Sequence, residues 1–177
     1  GMSGLMSITG EDKNKPPMKV GAPLTDITAG LLAASGILAA LIHRDKTGEG
    51  QKVDTSLYEA GIVHTYWQSA IAGATGISPG PLGSAHPLTA PYQAFKTKDS
   101  YIIIAAGNDR LFEKLCELLV MPEISKDPKF SDNSSRAKNM DELKIILEKK
   151  LASRSTSEWV KDMEKEKIPC GPIFNIK

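Results

Sequence analysis

From Ile27 to Ile42 the chain runs sixteen residues without a charge, and Gly30, Ala33, Ala34, Ser35, Gly36, Ala39 and Ala40 are spread through that run. It is too long for one strand, and its apolar side chains point to nearly every side, so it reads as a helix that needs neighbours on several faces. The small residues let other backbones come close. A bilayer span takes about 20 such residues, so the expectation is a buried core helix running from Asp26 to about Arg44.

Asp26 stands where this helix begins, inside Gly21-Ala-Pro-Leu-Thr-Asp-Ile-Thr-Ala-Gly30. The unpaired N–H groups of a first helical turn carry partial positive charge and hold a carboxylate in place. Such an acid can simply cap the helix. A fixed carboxylate can also act as a covalent nucleophile.

The text on both sides separates these readings. Downstream come His43-Arg-Asp-Lys-Thr-Gly-Glu-Gly-Gln51 and Val53-Asp-Thr-Ser56, then Gly83-Ser-Ala-His-Pro87, Ala90-Pro-Tyr-Gln-Ala-Phe95 with Lys98-Asp99, and Ile168-Pro-Cys-Gly-Pro172. Together with the Asp26 segment these resemble the family III CoA-transferases, a group that includes formyl-CoA transferase, carnitine CoA-transferase and α-methylacyl-CoA racemase. The resemblance spans nearly the whole chain but only the middle of the family's longer sequences, so the chain is expected to be a fragment, with Gly1-Met2 similar to a tag scar.

The resemblance implies an α/β protein. The end of a Rossmann-like, CoA-binding large domain would occupy residues 1–74, and a small α+β domain of a hairpin plus helices would occupy 92–177. Residues 75–91 would form the linker, since Gly76, Gly80, Gly83 and four prolines from Pro79 to Pro91 break helices and strands alike. Asp26 matches the family's nucleophile, the carboxylate that carries acyl and CoA groups in turn. Gly83, Ser84 and His86 fall in a loop that would face substrate, its backbone N–H groups available to a developing oxyanion, while Leu57 matches a position that lines the acyl pocket. For these four the plain alternatives are linker and core packing. The transferases that carry consecutive glycines in this loop are not matched by Gly83-Ser-Ala-His-Pro87.

Coenzyme A thioester would then be a substrate, with no permanently bound cofactor, and full-length relatives are intertwined homodimers. Ser3-Gly-Leu-Met-Ser-Ile-Thr-Gly10 and the stretch from Pro91 to Asp99 look most similar to succinyl-CoA:dicarboxylate transferases. Two alternatives stand beside the transferase: an acyl-CoA racemase, which uses an acid at the same position for proton transfer at the α-carbon, and an inactive binding or dimerisation module.

Elsewhere the residues mostly exclude. Twenty-two basic against 21 acidic residues leave +1, no field to gather nucleic acid or an anionic membrane. No signal peptide is read at the start. Cys116 and Cys170 form no Cys-x-x-Cys pair and fit a reducing, cytoplasmic setting. No His or Cys cluster has metal-ligand spacing, and His43 and His64 read as structural. Gln51–Thr55 alternates as a strand should, Ser56 can cap a helix running to about Ala72, and Tyr92–Phe95 with Tyr101–Ala105 reads as a hairpin whose second strand is central. Asp109 is read as the cap of a helix through Leu119. One amphipathic helix is expected over 133–152, and Ser155-Thr-Ser-Glu158 is a capping box for the next.

Overall fold

The computed structural model describes all residues 1–177 and divides into two compact units, Gly1–Gly83 and Ser84–Lys177. The first holds helices only. A short helix α1 (Leu5–Ile8) precedes the long α2 (Leu24–Thr47), followed by α3 (Leu57–Val63) and α4 (Tyr66–Thr75). The second holds strands β1 (Tyr92–Lys96) and β2 (Tyr101–Ala105), helices α5 (Asp109–Leu118), α6 (Asn133–Lys138), α7 (Met140–Leu151) and α8 (Thr156–Lys165), and strand β3 (Cys170–Pro172). Helices with a small antiparallel sheet make this a mixed α and β chain.

The apolar run forms the predicted helix and ends where the turn residues dictate. Gly48 adopts φ 78°, a conformation that suits glycine, and its N–H donates to the Arg44 carbonyl at 2.7 Å to close the last turn. The expected burial is corrected: no residue of α2 is buried, and Ile27, Leu31, Ile37, Leu38 and Ile42 are each more than half exposed. α3 lies along α2, and Val53 before it meets Gly36, while much of the rest of α2 is exposed. By length and composition alone α2 could cross a membrane, but its covered face is built for protein. A Cβ on Gly36 would come within 2.7 Å of Val53 Cγ1, so the two backbones approach as closely as they do only because position 36 has no side chain.

Residues 51–55 do not form the expected strand. Their alternation is there, but a strand needs a paired neighbour, and no strand lies in this unit. Ser56 does cap the next helix, accepting from the Glu59 N–H at 3.1 Å, yet that helix stops at Val63. Thr65 turns its hydroxyl back to the Ile62 carbonyl at 2.8 Å, and α4 starts afresh.

In the second unit β2 is central, paired antiparallel with β1 through Tyr92↔Ala105 to Lys96↔Tyr101, and with β3 through Ile102↔Pro172 to Ile104↔Cys170. Cys170–Pro172, the end of the quoted Ile168-Pro-Cys-Gly-Pro172 motif, is therefore a strand. One face of the sheet buries Phe95, Ile102 and Ile104 against Leu115, Leu147 and Met163 from α5, α7 and α8. Cys116 lies in the same core, and burial pushes its thiol up to about 12. Asn108, one residue before the predicted Asp109, caps α5. Asn139 interrupts the helix expected over 133–152, giving α6 and α7.

Arg136 is fully buried on α6. Its Nε donates to the Ala90 carbonyl at 2.8 Å, Nη1 to Phe130 at 3.0 Å, and Nη2 to Gly107 at 2.7 Å and to Asp109 Oδ1 at 2.8 Å. The guanidinium also lies 4.6 Å from the Phe112 ring centroid. A planar fork of five donors suits this role, because it satisfies carbonyls from three separate loops at once.

The capping box forms as read: Ser155 Oγ accepts from the Glu158 N–H, and Glu158 Oε2 accepts from the Ser155 N–H at 2.9 Å. Asp99 at the hairpin tip adds a tether, accepting from the Thr156 N–H at 2.9 Å. That backbone N–H, joined by the Thr156 and Thr97 hydroxyls, draws the Asp99 carboxyl below its usual range. The Ser155 hydroxyl and N–H do the same for Glu158. A lowered carboxyl contributes stability that is present above its unfolded value, 3.8 for Asp and 4.5 for Glu, and is lost as pH falls through the folded value. Thermal melting is therefore expected to hold steady from about pH 7 to 5 and to fall below about pH 4. In Asp99→Asn that acid-side drop should be smaller.

Candidate active site

The site is built at the start of α2. Helix formation begins at Leu24, with Pro23 at the cap position and no side-chain cap. Asp26 is thus the third helical residue and not the cap, two positions further in than the sequence suggested. It is the acid of the first turn, where the helix dipole favours negative charge. Its side chain is solvent-exposed, and the Thr25 hydroxyl donates to its Oδ2 at 3.2 Å.

A cavity of about 380 Å³ opens in front of this turn. Leu5 and Met6 of α1 form one side, and the segment from Lys19 to Asp26 forms the other. Small-molecule sites typically fall in the range of about 300–1,000 Å³. Gly1, Gly21, Ala22 and several apolar residues line it together with two residues that carry charged side chains, Lys19 and Asp26.

The first turn of α2 is held from α3. The Thr28 hydroxyl and His64 Nε2 share a hydrogen bond of 2.7 Å, the donor set by the imidazole tautomer. A Cβ on Gly61 would clash with Ser3 Oγ and press on Thr25 Cγ2 at 3.3 Å, so the glycine lets α3 reach both neighbours of the site. Thr25 and Thr28 flank Asp26 on its own helix. His64 therefore has the structural role expected, at the break between α3 and α4 rather than inside one helix.

Leu57 opens α3 about half exposed and is absent from the cavity wall; Gly61, four residues on, is the one that meets Thr25, so Leu57 lies about one helical turn further along. Gly83 has φ 61° and donates its N–H to the Gly10 carbonyl at 2.9 Å, which closes the first unit. Ser84 and His86 belong to the second unit. Ser84 Oγ accepts from the Ala94 N–H at 3.0 Å. The His86 N–H donates to the Tyr92 carbonyl at 2.9 Å, its Nδ1 accepts from the Leu88 N–H at 3.1 Å, and its ring stacks on Tyr92 with centroids 5.2 Å apart. These contacts fasten the loop to β1.

The model of CoA-transferase family III matches residues 1–177. The chain belongs to this family. It is 34% identical over 175 residues to an acetyl-CoA:oxalate CoA-transferase of Acetobacter aceti, covering 99% of this chain and 45% of that protein. It is 38% identical over 176 residues to a human succinyl-CoA:glutarate CoA-transferase, covering 99% of this chain and 40% of that one. Among solved structures, a CAIB/BAIF family protein from Brucella suis superposes with a TM-score of 0.79 at 38% identity, over 99% of this chain and 46% of the other. The chain thus spans less than half the length of the relatives it matches.

Sequence reading did not mark Lys19. It also missed Arg136, whose burial follows no periodic pattern.

Proposed function

We propose that the full-length protein exchanges coenzyme A between an acyl-CoA thioester and a free carboxylic acid, with Asp26 as the covalent carrier. The observation that carries this reading is a single carboxylate, set in a first helical turn, on the wall of a cavity large enough for a small acid. The activities for which the relatives are named support the reaction class.

An Asp26 oxygen attacks the donor's thioester carbon, the C–S bond breaks, and CoA leaves as the thiolate, giving a mixed anhydride. The thiolate attacks the Asp26 carbonyl carbon, which frees the donor acid and leaves an aspartyl-CoA thioester. The acceptor carboxylate attacks that carbon and expels the thiolate, which then attacks the acceptor's acyl carbon. The new acyl-CoA departs and Asp26 is a carboxylate again. Each exchange is split into easier displacements, and no acyl group is given to water. CoA enters and leaves as a substrate.

The acceptor is a dicarboxylic acid in this reading, in line with relatives named for oxalate and glutarate. The bare face of α2 meets the remainder of the full-length protein and a second subunit. For the 177-residue chain alone, the exposed apolar side chains favour self-association at about 25 cal/mol per Å² covered. Light scattering is expected to show oligomers, and a clean monomer would contradict the assignment of this face.

The deciding test is to incubate the full-length protein with succinyl-CoA and a panel of dicarboxylic acids, then quench with hydroxylamine. New CoA esters and a hydroxamate on Asp26 are expected. Solvent deuterium at the donor's α-carbon without any new CoA ester would instead identify a racemase.

A further inference from the structure

We propose that Lys19 selects dicarboxylic acids, its ammonium pairing with the carboxylate that does not react. The assignment rests on the transferase reading of the Asp26 cavity. Lys19 and Asp26 are the two charged side chains in the cavity wall. Lys19 enters no ion pair or hydrogen bond. A cation that shares a concave site with a reactive carboxylate, and is not neutralised by a neighbour, is placed to receive an anionic group of the ligand.

The charge at each stage of the reaction strengthens the argument. With Asp26 ionised, the two side chains nearly cancel, and a dianionic acid gains little by entering. Once Asp26 is converted to its CoA thioester the carboxylate charge is gone, and the ammonium of Lys19 stands uncompensated. The cavity thus becomes attractive to a dianion at the step when the acceptor has to bind. One carboxylate of the acceptor then attacks the aspartyl carbon and the other meets Lys19. Leu5, Met6 and Val20 offer apolar surface to the methylenes between them. A monocarboxylic acid of equal length makes the same apolar contacts and leaves Lys19 unused, so the discrimination comes from one charge-assisted contact.

The test uses the full-length protein with acetyl-CoA as donor, so that the donor has no second carboxylate. The ratio of kcat/KM for glutarate to that for pentanoate is measured in the parent, Lys19→Met and Lys19→Arg. A hydrogen bond to a charged group predicts a ratio lowered roughly 10- to 100-fold in Lys19→Met, mainly through the KM for glutarate. Lys19→Arg should keep most of the ratio, because a guanidinium also pairs with carboxylate. Lys19 is exposed, so both variants should fold. An unchanged ratio in Lys19→Met overturns the assignment, whether or not absolute rates fall, and so does a parent that does not prefer the dicarboxylate. Asp26→Ala is run in parallel: transfer surviving there overturns the carrier reading, whereas transfer lost there with the Lys19→Met ratio unchanged overturns only the role of Lys19.

Discussion

Replacing Asp26 with alanine or asparagine in the full-length protein should lower kcat for CoA exchange by at least about 10³-fold, the scale seen when a covalent nucleophile is removed. Asp26→Glu keeps the carboxylate but moves it by one methylene, and a displacement of about 1 Å costs on the order of 10²-fold. These kinetic losses should come with little change in stability. An exposed first-turn acid is worth only about 0.3–1 kcal/mol to its helix, and Asp26 caps nothing. If Asp26 served the helix alone the pattern would reverse, with a lowered melting temperature and near-normal turnover. Turnover within about twofold of the parent in Asp26→Asn would falsify the carrier role.

The second large effect is expected far from any chemistry. Arg136→Met fills part of the same space but supplies no donor, which leaves the Ala90, Phe130 and Gly107 carbonyls without their partner. Removing one member of a buried, hydrogen-bonded ionic cluster typically costs about 3–5 kcal/mol, a large share of the roughly 5–15 kcal/mol that holds a domain together. Arg136→Lys should fall between, since one ammonium cannot reach three loops. Asp109→Asn should cost less than about 1 kcal/mol, because the Asp109 side chain is 61% exposed while Arg136 is 0% exposed. Urea unfolding of the 177-residue chain orders the variants. An Arg136→Met midpoint matching the parent would show that water takes over the three carbonyls at no cost.

Features set by local chemistry were legible in the sequence. The unbroken apolar run gave α2, the Ser155–Glu158 pair gave the start of α8, and the all-apolar Tyr101–Ala105 segment gave a central strand. Features that depend on distant partners were not. Residues 51–55 alternate like a strand but have none to pair with. Cys170–Pro172 has little strand character and becomes one because Ile102–Ile104 lies beside it. The breaks at Thr65 and Asn139 fall inside segments whose apolar pattern continues across them.

At the candidate site, Asp26 was marked by the flanking family motifs, because an acid before an apolar helix taken alone reads equally well as a cap. Its depth within the first turn was not, since Pro23 and Leu24 had to start the helix early. Ser84 and His86 were marked by the same resemblance, and their bonds to β1 depend on a strand partner that the motif does not encode. Lys19 could have been found only by knowing that residues 19–22 fold beside α1. No residue spacing in the sequence records that.

Those bonds to β1 bear on how the sheet behaves toward other chains. Along the outer side of β1, the Tyr92 carbonyl is taken by the His86 N–H, the Ala94 N–H by Ser84 Oγ, and the Lys96 N–H by Glu148 Oε1 at 2.9 Å. At the opposite border, β3 is three residues long and ends in Pro172, which has no N–H to offer. A three-stranded sheet normally presents two open borders on which a foreign strand can template itself. Here each border is blunted by a different means, so crowded chains have little chance to stack strand against strand through this unit.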